Sequence, residues 1–120
     1  QSIRLTAQQT AKPYFNRIIN NTIQDFYIYG IYVGYQDSIL ISGNDMSRPT
    51  RTSSASGSRF IWVVSFCDNA LIEKNSIHDP MANNTTTSST AYGIDITNLP
   101  DVGITKVVNN VFYNFISNST

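Results

Sequence analysis

A chain of 120 residues is long enough for one domain with a modest core, and its eight Lys/Arg balance eight Asp/Glu to give zero formal charge and a pI near 6.8. That balance argues against nucleic acid as a partner, because phosphate binding needs an excess of cations on one face. No apolar run approaches the ~20 residues that cross a bilayer, and Cys67, the sole cysteine, rules out an intrachain disulfide framework.

In chain order, the first predicted strand is "SIRLT" (2–6), followed by a small polar insert, "AQQTAKPY" (7–14). "RIINNTIQD" (17–25) then places Ile18 three residues before Asn21 and Ile23 two after it. The next strand, "GIYVG" (30–34), leads through a turn at Asp37 into "SILISGNDM" (38–46), where Ile41, Asn44 and Met46 repeat that spacing. A Ser/Thr/Gly-rich stretch, "SRPTRTSSASGS" (47–58), has no apolar period and reads as an exposed loop. "FIWVV" (60–64), a turn at Asp68 and "ALIEKNSIHD" (70–79) give Ile72, Asn75 and Ile77, and a second loop, "PMANNTTTSSTA" (80–91), follows. The last cycle is "GIDIT" (93–97), Asp101 and "ITKVVNNVFYN" (104–114), with Val107, Asn110 and Phe112. Asp25, Asp79 and Asn114, residues that favour turns, close three of these segments.

The cycle is thus strand, turn, strand with Asn, turn, repeated four times over approximately 1–26, 27–57, 58–90 and 91–120. Successive ladder asparagines are 23, 31 and 35 residues apart, and the two loops explain the longer intervals. Because both loops follow the Asn-bearing strand, both are expected on the same side. Helix is a poor reading, since no segment of ten or more residues shows a 3.6 period. A β-sandwich gives no reason for Asn at one offset in every second strand. In stacked coils, equivalent residues lie about 4.7–4.9 Å apart, so Asn21, Asn44, Asn75 and Asn110 can bond to one another as a structural ladder. Without such partners each buried amide would cost about 1–3 kcal/mol. The predicted fold is all-β: a parallel β-helix (β-solenoid) of about four coils with two loop inserts, apparently uncapped.

The cycle "GIYVGYQDSILISGNDM" and its copy "FIWVVSFCDNALIEKNSIHD" resemble the right-handed parallel β-helix repeats of the pectate-lyase-like superfamily, and the resemblance covers about residues 2–116. It implies the right-handed fold, but members include polysaccharide lyases, glycoside hydrolases, epimerases, tailspikes and adhesins, so it implies no single activity. Lyases of that kind use a basic residue with acidic Ca²⁺ ligands, and hydrolases use paired or tripled Asp. Members usually have many more coils and closed ends, whereas no amphipathic helix precedes residue 2 or follows Asn114 here. The expectation is therefore a segment of a longer solenoid, with end-to-end stacking of copies as the alternative. A chain opening at Gln1 without a signal peptide is expected to be processed or a piece of a longer protein.

No catalytic set emerges. The candidate bases Arg59, Lys74, Lys106, Arg48 and Arg51 read as a solvated face, with Lys74 and Lys106 at related outward positions. Asp37, Asp68 and Asp101 could stack as a carboxylate column, for which Ca²⁺ is conceivable. The simpler reading is three Asx-type turns with their side chains in water, and no DxDxDG loop supports a metal. His78 and Asp79 are adjacent, but neighbouring strand residues face opposite ways, so His78 is expected to point outward without bonding Asp79. There is no GxSxG elbow, P-loop or zinc spacing, and Cys67 in "VVSFCDN" reads as a small buried hydrophobe.

The outward column is more informative. If Ile31/Val33, Ile61/Val63 and Ile94/Ile96 point inward, Tyr32, Trp62 and Asp95 point outward on neighbouring coils, with Arg59 close by. Aromatic faces beside polar groups suit stacking against sugar rings. The competing reading is that the 47–58 loop covers Trp62, or that a one-residue slip turns it inward. Asn20, Asn83, Asn84 and Asn118 begin N-x-S/T triplets, which matter only in a glycosylating host. The neutral, polar surface, only 13% charged, matches many secreted proteins that meet carbohydrate. The expected role is a rigid, adhesin-like module of a secreted or cell-surface bacterial protein, without cofactor, in contact with polysaccharide. Alternatives are part of a lyase or hydrolase whose catalytic groups lie elsewhere, or a stacking fibre subunit.

Overall fold

The computed structural model describes residues 1–52, 57–82 and 90–115. These form twelve strands: β1 (Ile3–Thr6), β2 (Arg17–Ile19), β3 (Thr22–Gln24), β4 (Tyr29–Gly34), β5 (Leu40–Ser42), β6 (Asp45–Ser47), β7 (Ser58–Val64), β8 (Leu71–Glu73), β9 (Ser76–His78), β10 (Ala91–Ile96), β11 (Lys106–Val108) and β12 (Val111–Tyr113). Every third strand pairs in parallel, giving three four-stranded sheets ordered β1-β4-β7-β10, β2-β5-β8-β11 and β3-β6-β9-β12. The result is a parallel β-solenoid of about three turns, with four rungs in each sheet and no helix among the described residues.

Each coil has three strands where the sequence predicted two. The Asn-bearing segment is broken at the asparagine, which sits in a corner between the second and third sheets. The residue before each ladder asparagine has positive φ: Asn20 (54°), Gly43 (66°), Lys74 (56°) and Asn109 (54°). A left-handed residue turns the chain sharply, so the alternation of a single strand cannot continue through it. Gly43 suits this corner doubly, because a Cβ there would collide with the side-chain oxygen of Asn20. Asp25, Asp79 and Asn114 also have positive φ, at the corner leading back to the first sheet.

Inward side chains stack in columns: Ile3, Ile31, Ile61 and Ile94; Ile18, Ile41, Ile72 and Val107; Ile23, Met46, Ile77 and Phe112. The β-branched members suit a pleated surface, and the columns bury one another coil by coil. Ile31, Ile41, Met46, Ile61, Ile72 and Ile77 have no exposed surface. Phe26 and Phe60 meet edge to face at 4.8 Å within this core, and Cys67 is buried in it, its Sγ 3.7 Å from the Val64 carbonyl. The loops after β6 and β9 both leave from the corner between the third and first sheets. Their segments 53–56 and 83–89 lie outside the described residues, as do Asn83, Asn84 and Asn118.

The ladder satisfies its own polar groups. Nδ2 of Asn21, Asn44 and Asn75 donates to Oδ1 of the next asparagine at 2.9 Å each. The same oxygen accepts the preceding asparagine's main-chain N–H at 3.0–3.1 Å. The second Nδ2 proton of Asn44, Asn75 and Asn110 goes to the carbonyl of Ile18, Ile41 and Ile72, respectively. Each interior amide therefore makes two donations and accepts two, its full capacity in the plane.

Candidate functional site

The outward face of the first sheet follows from its register. Ile and Val fill the inward positions, so the residue between them must face out. In-register pairing then aligns Arg4, Tyr32, Trp62 and Asp95 across four rungs. A second row joins Tyr29, Arg59 and Tyr92. Trp62 is part-exposed and outward, so the register slip that would have buried it does not occur.

These side chains form a continuous run of rings and cations. The Arg59 guanidinium lies over Trp62 at 4.2 Å and over Tyr92 at 4.9 Å. Its Nε donates to Asp95 Oδ2 at 2.5 Å, and Nη1 donates to the Gly57 carbonyl at 2.8 Å. Trp62 meets Tyr32 edge to face at 5.2 Å, Tyr32 meets Tyr29 at 5.0 Å, and Arg4 stands 5.2 Å from the Tyr32 ring centre. The indole Nε1 donates to Thr97 Oγ1 at 2.7 Å, fixing the ring's tilt. Both rings are part-exposed and held by their neighbours, Trp62 by Arg59 and Tyr32 by Arg4, Tyr29 and Trp62. A hollow of about 200 Å³ lined by Ser2, Tyr27, Ile28 and Tyr29 lies beside them.

The sequence reading did not single out Arg4, Tyr29, Tyr92 or Thr97. Arg4 could have been found, because it stands between Ile3 and Leu5 as Tyr32 stands between Ile31 and Val33. Tyr92 requires the register of β10 on β7.

Elsewhere the structure corrects several expectations. His78 does bond Asp79: its Nδ1 lies 2.6 Å from Asp79 Oδ2, and its Nε2 lies 3.0 Å from Asp45 Oδ1. The opposite-face argument fails because Asp79 has φ of 48° and has already left the strand. The imidazole is half-buried and stacked on Tyr113, with 4.6 Å between centroids and 7° between planes. A neutral imidazole donates from only one nitrogen, so carboxylates at both suit the charged ring. Burial disfavours that charge, but the bonds to Asp79 and Asp45 outweigh it and raise the His78 pKa above its usual value. The hydrogen bond from His78 in turn lowers the pKa of Asp79.

Asp68 is buried, not solvated. Lys12, from the first insert, reaches it at 2.6 Å and Asp101 at 2.9 Å. The N–H groups of Asp101 and Val102 donate to its other oxygen, at 2.8 and 3.1 Å. Burial works against the Asp68 charge, yet Lys12 and these N–H groups hold its pKa below the usual carboxylate range. The small polar insert therefore carries an ammonium into the Asp column. Asp37 stays at the surface of the column, accepting from Ser38 Oγ and Asn69 Nδ2.

Arg48 is not a solvated loop base. It is buried, donating from Nε to the Phe26 carbonyl and from Nη1 to Ser58 Oγ and the Pro80 carbonyl. Its guanidinium packs 5.5 Å from the Phe26 ring centre, so it links three coils at one corner. Arg51 covers Tyr27 at 4.8 Å. Lys74 and Lys106 are exposed, as a solvated face requires, Lys106 in register with Leu71 and Lys74 at the corner before Asn75. No group of three or more His, Cys, Asp or Glu among the described residues is arranged to hold a metal ion. No known protein family matches the chain, and no curated protein or solved structure matches it either.

Proposed function

We propose that the chain is a rigid module of a secreted or cell-surface β-helix protein that contacts carbohydrate along the outward face of its first sheet. The observation behind this reading is the row Arg4–Tyr32–Trp62–Asp95, flanked by Arg59 and Tyr92. Rung spacing of about 4.8 Å makes it a flat ribbon with two rings at its centre and a charged group at each end. Sugar rings present apolar C–H faces and a rim of hydroxyls, which such a ribbon complements. Both rings are held by neighbours, so little side-chain entropy is lost on contact. The resemblance to pectate-lyase-like repeats fits a polysaccharide-facing surface.

A glycan array probed with the purified protein tests this. Loss of a reproducible glycan signal in both Trp62→Ala and Tyr32→Ala, with unchanged thermal unfolding, is the expected result. Retained binding in both variants, or no glycan bound by the native protein, overturns it.

A further inference from the structure

We propose that the Asp79–Pro80 peptide bond is a self-cleavage site, with the Asp79 carboxylate as nucleophile and His78 as general acid. The Asp79 side chain attacks its own main-chain carbonyl, and the chain is nicked where the 80–91 loop begins. The groups involved lie on the interior coils, and none belongs to the row proposed to contact carbohydrate.

The bond itself is predisposed to break. Asp79–Pro80 is the only Asp–Pro bond in the chain. Of the described non-glycine residues with positive φ, Asp79 alone precedes a proline. A left-handed conformation costs an L-residue about 1–2 kcal/mol, and a proline ring crowds the residue before it further. The amide to proline is tertiary, and its nitrogen is more readily protonated and expelled than that of an ordinary peptide. Attack by a β-carboxylate on its own main-chain carbonyl carbon closes a succinic anhydride ring, so the nucleophile is already in place.

The surroundings supply the remaining parts. His78 Nδ1 lies 2.6 Å from Asp79 Oδ2, which holds a proton at the carboxyl group. The imidazole is faced by Asp45 from β6, Asp79 at the corner and Tyr113 from β12, and the two carboxylates favour its charged form. The scissile carbonyl accepts the main-chain N–H of Arg48 at 3.3 Å, a donor aimed at the oxygen on which charge develops. Beyond the bond, Pro80 is buried and Arg48 Nη1 holds its carbonyl at 3.2 Å. The Asp79 side chain is 30% exposed, which admits water. At the corresponding corner of the first coil, Asp25 also has positive φ but stands between Gln24 and Phe26, without imidazole or proline.

The atoms balance as a hydrolysis. Asp79 Oδ1 bonds to the Asp79 carbonyl carbon and the C–N bond to Pro80 breaks. The proton shared by His78 and Oδ2 passes to the leaving nitrogen. Water then opens the anhydride to two carboxylates, returning one proton to the imidazole and one to the new amine. The pieces 1–79 and 80–120 stay together, because β10, β11 and β12 remain paired with β7, β8 and β9.

Purified protein held at about pH 6, then denatured and weighed by mass spectrometry, is expected to show pieces ending at Asp79 and beginning at Pro80. They should accumulate at a rate independent of protein concentration. Hydroxylamine, which captures an anhydride, should leave a hydroxamate on Asp79. Asp79→Asn and Pro80→Ala should stop the reaction, and His78→Gln should slow it on the order of a hundredfold, with circular dichroism confirming that each variant is folded. The native rate should fall as pH rises through the His78 value, and the His78→Gln rate should not. A chain that stays whole on long incubation overturns the proposal. So does cleavage at equal rates in the native protein and His78→Gln, and so does cleavage without hydroxamate, the mark of a contaminating protease.

Discussion

Asn75 receives both the main-chain N–H of Asn44, at 3.0 Å, and its Nδ2, at 2.9 Å, on a single side-chain oxygen. Its own Nδ2 then donates to Ile41 and Asn110. Truncation of Asn75 strands groups on both neighbouring coils, each worth about 1–3 kcal/mol when buried. Asn75→Ala should destabilise by about 3–5 kcal/mol in urea unfolding, against about 1 kcal/mol for Asn21→Ala at the ladder's edge. Equal losses at the two positions would show that the asparagines act singly.

The corner before the ladder makes an opposed pair of predictions. Gly43 has φ of 66°, and a Cβ there would push aside the exposed Asn20 side chain, so Gly43→Ala should cost about 1–2 kcal/mol. Lys74 holds the equivalent corner with a strained backbone and an exposed side chain. Lys74→Gly relieves that strain and should leave stability unchanged or raise it by up to about 1 kcal/mol. Chemical denaturation of both variants measures the contrast.

His78 links three rungs of the third sheet through Asp45, Asp79 and Tyr113. Its folded pKa is raised, so its contribution is complete below the unfolded value of about 6.5. That contribution is lost as pH rises through the higher folded value. Urea midpoints measured from pH 5 to 9 should fall across that window in the native protein. His78→Gln should flatten this part of the profile, and an unaltered slope would assign it to another group.

The Lys12–Asp68 pair has the opposite sign. The Asp68 pKa is depressed by folding, so its stabilisation is present above about 3.9 and lost as pH falls through the lower folded value. Lys12→Met leaves the buried Asp68 charge without its ammonium and should destabilise by about 3 kcal/mol at pH 7. Lys12→Met/Asp68→Asn should recover part of that loss, measured as a double-mutant cycle.

Arg48 donates to a side chain and to two carbonyls from other coils. Arg48→Met keeps much of the volume but orphans those acceptors, with an expected loss of about 3 kcal/mol. Arg48→Lys should fare little better, because an ammonium cannot match the guanidinium's planar fork. Thermal unfolding of the two variants against Arg51→Ala checks that the loss is specific to the buried arginine.

The apolar pattern around Asn21, Asn44, Asn75 and Asn110 was sufficient for the architecture, because stacked coils oblige equivalent positions to share one environment. Alternation also told which residues of β4 and β7 face inward, since Ile and Val have only the core to fill. Tertiary structure decided what periodicity does not encode. A corner depends on one residue's φ, so the break at Asn20, Gly43, Lys74 and Asn109 split one apparent strand into two. A positive φ at Asp79 likewise brought its carboxylate to His78. Arg48 and Lys12 lie in segments without period and are buried because distant coils supply carbonyls, a hydroxyl and carboxylates to meet their charge. The outward row was readable as far as Tyr32, Trp62 and Asp95, but the placing of Arg59 between Trp62 and Tyr92 required the register of neighbouring strands. Short-range patterning fixes which way a side chain faces, whereas its partner is set by stacking, which joins residues more than 20 positions apart, as Asn21 with Asn44 or Arg59 with Asp95.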